Sequence, residues 1–224
     1  MQRQLILELG HRPARGRDDF LVAPSNEAAV ALIDAWPDWP GPSVAISGPQ
    51  GSGKSHLAQV WHDMSGAARL EANELEAADV PALVAAGAVL VEDLETLSES
   101  AERQLFHLLN LVKEEGASLL LTSRLAPGHL TIGLPDLASR MRALPHSELG
   151  PPDDALLAGV LVKLFDDRQL RVGEPLIAYL ASHIERSIAI ARDVVAALDR
   201  ASLSGKRAVT VPLATQVLAD MGLA

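Results

Sequence analysis

The chain contains no cysteine, which excludes a disulfide framework and a thiolate metal site and is consistent with an intracellular setting. It also lacks basic excess. Its 19 Lys and Arg are outnumbered by 29 Asp and Glu, for a formal net charge of −10. A broad, self-sufficient nucleic-acid surface needs clustered cations to neutralise phosphates, so none is expected beyond a local patch. No segment approaches the roughly 20 uninterrupted apolar residues of a membrane span, and the apolar stretch within Met1 to Gly10 is too short for a signal peptide. No internal repeat or low-complexity tract interrupts the chain. The expectation from these absences is a soluble, cytoplasmic protein with no membrane association. What is present is 48% hydrophobic residues over 224 positions, enough for one large domain or two small ones sharing a contact.

After a polar, linker-like stretch from Gly10 to Asp19, Pro24-Ser25-Asn26-Glu27 places capping residues before a helical run from Ala28 to Trp36. Ser43 to Ser47 reads as a buried strand, Gly48 to Gly53 as a loop, and a helix should begin near Lys54. Asn73 and Glu76 form a capping-box-like start to a helix ending near Gly87, followed by a strand from Ala88 to Val91. Between Glu99 and Lys113 the spacing of Leu105, Leu108, Leu109 and Val112 puts them on one helical face, and Ser118 to Thr122 returns as a strand. Strands alternating with helices predict parallel strands with right-handed crossovers, a doubly wound α/β sheet with its ligand at the carboxyl ends of the strands. Gly150-Pro151-Pro152 followed by Asp153 reads as a hinge closed by a helix cap. Beyond it come helices at about Asp153 to Gln169, Glu174 to Glu185, Ile188 to Leu203 and Leu213 to Met221.

The chemistry concentrates in Gly48-Pro49-Gln50-Gly51-Ser52-Gly53-Lys54-Ser55, a full G-x-x-x-x-G-K-[ST] match between a strand-like and a helix-like run. Gly48, Gly51 and Gly53 let backbone amides, including that of Ser52, converge on phosphate oxygens. Lys54 then meets the β/γ-phosphates and the Ser55 hydroxyl is a ligand for Mg²⁺. Val89-Leu90-Val91-Glu92-Asp93 supplies two carboxylates at the end of an apolar strand, the Walker B place, to hold the metal or orient an attacking water. The first such position, usually Asp, is the metal's; here it is Glu92, whose longer side chain weakens metal placement and puts efficient hydrolysis in doubt. At the end of the next strand the hydroxyls of Thr122 and Ser123 either sense phosphate or cap a turn. Leu134 to Arg140 begins a short helix bearing Arg140 and Arg142. An arginine reaching a neighbour's nucleotide is worth about 10³ to 10⁵ in rate, and a homo-oligomer is one setting for it. Arg192, near the start of a helix after Ser187, either folds back over the phosphates or is a salt-bridged surface residue.

Together Phe20 to Asn26, Gly51 to Leu57, Leu134 to Arg140, Ala191-Arg192-Asp193 and Leu198 to Ser202 resemble the initiator clade of AAA+ proteins. Within that clade the resemblance is to the Hda family of DnaA-related regulators of replication initiation, and it spans nearly the whole chain. It implies that Pro24 and Asn26 lie near the adenine, with His56 following the P-loop, that Arg192 is the sensor 2 arginine, and that Arg140 acts in trans. It further implies that ADP, rather than a rapidly turned-over ATP, is the working ligand. Gln4-Leu5-Ile6-Leu7-Glu8-Leu9 resembles the Q-L-x-L-x-L peptide with which that family binds the sliding clamp of DNA polymerase III, Gln4 hydrogen-bonding while Leu5, Leu7 and Leu9 enter an apolar pocket. Read without the resemblance, the same alternation describes an edge strand. The sequence stops at Ala224, so no helix-turn-helix domain is expected and DNA is to be reached mainly through the clamp.

The expected architecture is therefore an AAA+ P-loop NTPase. It comprises a tail and linker at 1–19, an α/β nucleotide-binding domain at 20–150 and a helical lid at 151–224. The expected function is a nucleotide-bound regulator, with weak ATPase activity of its own, that binds the clamp and promotes inactivation of the ATP-bound DnaA initiator. The alternative is an independent ATPase acting as a loader or remodeller.

Overall fold

The computed structural model describes residues 20–205 and 207–223. Helix α1 (Glu27–Asp34) leads into β1 (Ser43–Ser47), α2 (Lys54–Ser65) and β2 (Ala68–Glu71). Helix α3 (Val80–Val84), β3 (Ala88–Glu92), α4 (Glu99–Glu114), β4 (Ser118–Ser123), α5 (Pro135–Ala143) and β5 (His146–Glu148) follow. The five strands form one parallel sheet in the order β2-β3-β4-β1-β5.

The central strands are apolar throughout because both of their faces are covered. Val89, Val91, Leu119, Leu121 and Ala45 pack with residues of α3, α4 and α5, among them Leu105, Leu108, Leu109 and Val112. The alternate residues Ala88, Leu90, Leu120, Val44 and Ile46 pack on the other face with Ala29 and Ile33 of α1 and Leu57, Ala58 and Trp61 of α2. Period-two alternation divides each strand between two cores. This brings the carboxyl ends of β1, β3 and β4 together between layers, where an open α/β sheet places its ligand.

The edges depart from expectation. Strand β2 was not foreseen: Leu70 is its one buried residue, and Arg69 and Glu71 gave no apolar run. The helix expected from Asn73 to Gly87 is instead a 3₁₀ turn over Ala72–Ala77 and the separate α3, with Asp79 as N-cap accepting from the Ala82 amide at 3.1 Å. The reciprocal cap sits two residues earlier than Asn73 and Glu76, at Glu71 and Glu74, where the Glu71 amide donates to Glu74 at 2.7 Å. Strand β5, only three residues and polar, was also unforeseen.

Beyond β5, the Asp153 side chain caps α6 (Asp154–Asp166) by accepting from the Leu156 amide at 2.7 Å, as the Pro-Pro-Asp pattern predicts. Helices α7 (Glu174–His183), α8 (Ile188–Gly205) and α9 (Val211–Asp220) complete a lid with its own core, in which Leu161, Phe165, Leu180, Val195, Leu198 and Leu218 are buried. Among the described residues no helix is long and apolar enough to cross a membrane.

Candidate functional site

The loop after β1 turns so tightly that side chains are excluded. Gly48 has φ 151°, and a Cβ there would overlap the carbonyl oxygen of Leu149; Gly51 has φ 78°, and a Cβ there would overlap Ser187 of the lid. The lid is seated on this loop by the amide of Ile188, which donates to the Gly51 carbonyl at 2.8 Å. Gly53, also left-handed, caps α2, so the first amides of that helix face the loop.

A cavity of about 260 Å³ opens above the loop, lined by Gly51, Gly53, Lys54, Ser55 and His56, by Asp93 and Arg124 from the tips of β3 and β4, and by Ile188 and Arg192 of the lid. Ile188 and Arg192 are four apart on α8 and so share a face. Lys54 is buried and its ammonium donates to the carbonyls of Gly48 at 2.6 Å and Pro49 at 3.0 Å. Burial lowers its pKa, while Glu95 and Asp93 pull it up and Arg124 pushes it down.

A second cavity of about 210 Å³ continues from the first through His56, Ile188 and Arg192. Its wall is mostly apolar, with Phe20, Leu21, Leu156, Val160 and Leu164 beside Asn26. Asn26 does not cap α1 forward. It is buried, its Oδ1 accepts from the Ala23 amide at 2.9 Å, and its Nδ2 donates to the Leu21 carbonyl at 2.9 Å. It thereby fixes the strap that carries Phe20, which meets the His56 ring at 5.3 Å. Pro24 is exposed and does not line the cavity.

The residues taken from the strand tips separate by direction. Glu92 shares a strand face with Leu90 and Ala88, so it turns towards α2 rather than into the cavity above the loop. There it is buried and ion-paired with Arg69 of β2, whose Nη1 donates to Gln59 of α2 at 2.7 Å. Beyond this ion pair, neither Glu92 oxygen meets a hydrogen-bond donor among the described residues. Asp93 leaves the strand at φ 53° and lines the cavity instead. Ser123 is fully buried and its hydroxyl donates to the Leu125 carbonyl, so this hydroxyl caps a turn; Thr122 Oγ1 accepts from the Asp93 amide at 3.1 Å. From Thr122-Ser123-Arg124 it is the arginine, not either hydroxyl, that lines the cavity.

Arg140 stands apart. It is exposed on α5 with its guanidinium 4.6 Å from the centre of the Phe106 ring, and it does not line either cavity. Helix α5 is aligned by Glu102 of α4, a buried carboxylate that accepts from the amides of Gly133 at 2.8 Å and Leu134 at 2.7 Å. Gln4, Leu5, Leu7 and Leu9 lie outside the described residues.

A parallel sheet with this loop at the tip of β1 and a helical lid seated upon it constitutes the AAA+ fold. Residues 155–218 match the family model described as "Hda, lid domain". The chromosomal replication initiator protein DnaA of Desulfotalea psychrophila is 26% identical over 214 residues, covering 84% of this chain and 45% of the relative. DnaA of a Caulobacter species is 29% identical over 168 residues, covering 64% of this chain and 34% of the relative. The chain thus spans less than half the length of these relatives. Domain III of Thermotoga maritima DnaA superposes with a TM-score of 0.78 at 19% identity, covering 90% of this chain and 94% of that one. AMPPCP-bound DnaA from Aquifex aeolicus gives 0.65 at 20% identity, covering 78% and 61%. The chain thus has the AAA+ fold, its sequence is similar to that of DnaA, and its helical lid matches the Hda lid model.

Proposed function

We propose that this chain is an adenine-nucleotide-bound regulator of replication initiation. It attaches to the sliding clamp of DNA polymerase III, and so indirectly to DNA, and promotes inactivation of the ATP-bound DnaA initiator. The phosphates sit on the loop amides from Gly48 to Ser55 with Lys54, and the base lies in the apolar cavity beside Phe20 and Asn26. Arg192 closes over both from the lid. Residues 20–150 form the nucleotide-binding unit and 151–224 the lid; the tail at 1–19 carries the clamp peptide Gln4, Leu5, Leu7 and Leu9.

The exposed Ser55 hydroxyl and the Asp93 carboxylate, which both line the cavity, suit Mg²⁺, and the ion would neutralise phosphate charge there. The expected metal role of Glu92 moves to Asp93, since the Glu92 carboxylate faces Arg69. That arrangement supports weak hydrolysis by the chain itself and disfavours the independent loader or remodeller.

The observation that carries the reading is Arg140. That this arginine is absent from its own chain's cavity, exposed and steadied over an aromatic ring supports a role in stabilising transition-state charge on another subunit's ATP. The test is ATP hydrolysis by the initiator in the presence of DNA-loaded clamp. Arg140→Ala is expected to retain nucleotide and clamp binding yet lower the stimulation about 10³-fold, the low end of what an arginine finger supplies. Undiminished stimulation by the variant would sink the role.

A further inference from the structure

Helix α5 carries Arg140, yet little in its own sequence fixes where it begins. Leu134, the residue before it, has an aliphatic side chain and makes no cap, and Pro135 at the first helical position has no amide to donate. Leu137 and Met141, four apart and buried, turn one face of the helix to the core. Apolar burial of this kind is non-directional, so it selects the covered face but leaves the helix able to slip along its axis. Two hydrogen bonds remove that freedom. Glu102 of α4 is buried, and its two oxygens accept separately from consecutive amides of the entry loop, Oε1 from Gly133 at 2.8 Å and Oε2 from Leu134 at 2.7 Å. Both bonds are directional and charge-assisted.

Glu102 precedes Phe106 by four residues on α4, so the two share a face. Phe106 is the ring that Arg140 covers, its guanidinium 4.6 Å from the ring centre. Helix α4 therefore holds α5 at its entry and again at the arginine, with about 9 Å of helix axis from Leu134 to Arg140. A shift of the entry passes along so short a helix to the guanidinium. The entry loop also borders a cavity of about 630 Å³, lined by Glu99, Glu102, Arg103 and Pro135, and so has room to move once the two bonds are lost.

Resting on the trans-acting role given to Arg140 above, we propose that Glu102 is the positioning residue for that arginine. Its carboxylate sets the axial register of α5 on α4, and with it the point at which the guanidinium meets another subunit's ATP.

The experiment follows ATP hydrolysis by the initiator, with DNA-loaded clamp, as the full chain is titrated in, so that the maximal stimulated rate and the concentration giving half of it are read separately. Glu102→Gln leaves one acceptor and sets an amide NH₂ against the other donor. Glu102→Asp keeps both acceptors but withdraws them by one C–C bond, about 1.5 Å. A misplacement of about 1 Å costs on the order of 10²-fold in rate. Each variant is therefore expected to lower the maximal rate about tenfold to a hundredfold, while the half-maximal concentration, ADP affinity and clamp binding change less than about twofold. Wild-type maximal rates in both variants, with Arg140→Ala still defective, overturn the proposal and leave the role of Arg140 standing. A raised half-maximal concentration at full maximal rate, or a parallel loss of ADP binding, also overturns it, since Glu102 then supports docking or the fold and not the arginine. Stimulation by Arg140→Ala equal to that of the wild type overturns the role of Arg140 itself, and this proposal with it.

Discussion

Substituting Ala for Gly51 tests whether the lid and the phosphate loop form one mechanical unit. The position has φ 78°, where an L residue with a Cβ is strained by about 1–2 kcal/mol. The added carbon also overlaps Ser187 Oγ and lies 2.9 Å from Ser187 Cβ and 3.4 Å from Ser187 Cα. The hydroxyl can rotate away, but the Cβ cannot without moving the start of α8, adding about 1–3 kcal/mol of overpacking. Gly51→Ala should therefore cost about 2–5 kcal/mol, measured by urea unfolding, with the stacked Trp39 and Trp61 reporting on the sheet's covering layer. Relief by moving α8 carries Ile188 and Arg192 out of the cavity, so ADP affinity should fall by about tenfold or more. The discriminating variant is Gly51→Ala with Ser187→Gly. It removes the steric partner while costing only a few tenths at the α8 cap, where Ser187 Oγ accepts from the Ile190 amide at 3.3 Å. This double variant should recover the overpacking share and most of the nucleotide affinity but keep the backbone strain. If the second substitution restores nothing, the lid is not seated on Gly51 and the coupling argued here is wrong.

Two further outcomes follow from buried charges. Because burial lowers the Lys54 pKa below its unfolded value, the unliganded chain should gain stability from this group as pH rises into the alkaline range, where the folded state loses the proton first. Phosphate favours the ammonium form, so nucleotide binding at those pH values should take up a proton, seen as a buffer-dependent calorimetric enthalpy that Lys54→Met abolishes; uptake persisting in that variant would exclude Lys54 as its source. Glu102→Ala removes the acceptor of two amides in the loop that opens α5 and should cost about 1.5–3 kcal/mol in urea unfolding, with Glu102→Gln losing less because it keeps one acceptor. Equal losses in the two variants would mean that the carboxylate's packing, rather than its hydrogen bonds, holds the loop.

How far the sequence could be read depended on how many faces an element buries. Strands β1, β3 and β4 are covered on both sides, and their apolar runs located them to within a residue or two. The Pro-Pro-Asp entry to α6 was equally plain, because a cap is a local hydrogen bond. At the sheet edges this signal disappears. Strands β2 and β5 form because parallel partners wait beside them, with Leu70 opposite Val91 and Ser147 opposite Ile46, and no local pattern encodes a partner remote in the sequence. Asn26 illustrates a different limit: it is a cap residue by type, but its side chain satisfies the preceding strap and so builds a pocket wall rather than a helix end.

The carboxylates at the end of β3 show the same limit at the level of chemistry. Their order in the chain assigned the metal to Glu92, the first of the pair, whereas strand geometry assigns directions. Glu92 is the last residue with strand alternation, so it must share the face of Leu90 and enter the layer beneath α2, where only a cation makes its burial tolerable. Arg69 supplies that cation from β2, the very strand the sequence did not disclose. Asp93, freed from alternation by its left-handed backbone, is the carboxylate that lines the cavity, and the same turn brings Glu95 against Arg124. The edge strand and the site chemistry are thus one problem: the pairing of β2 with β3 decides which of two adjacent acids faces the cavity.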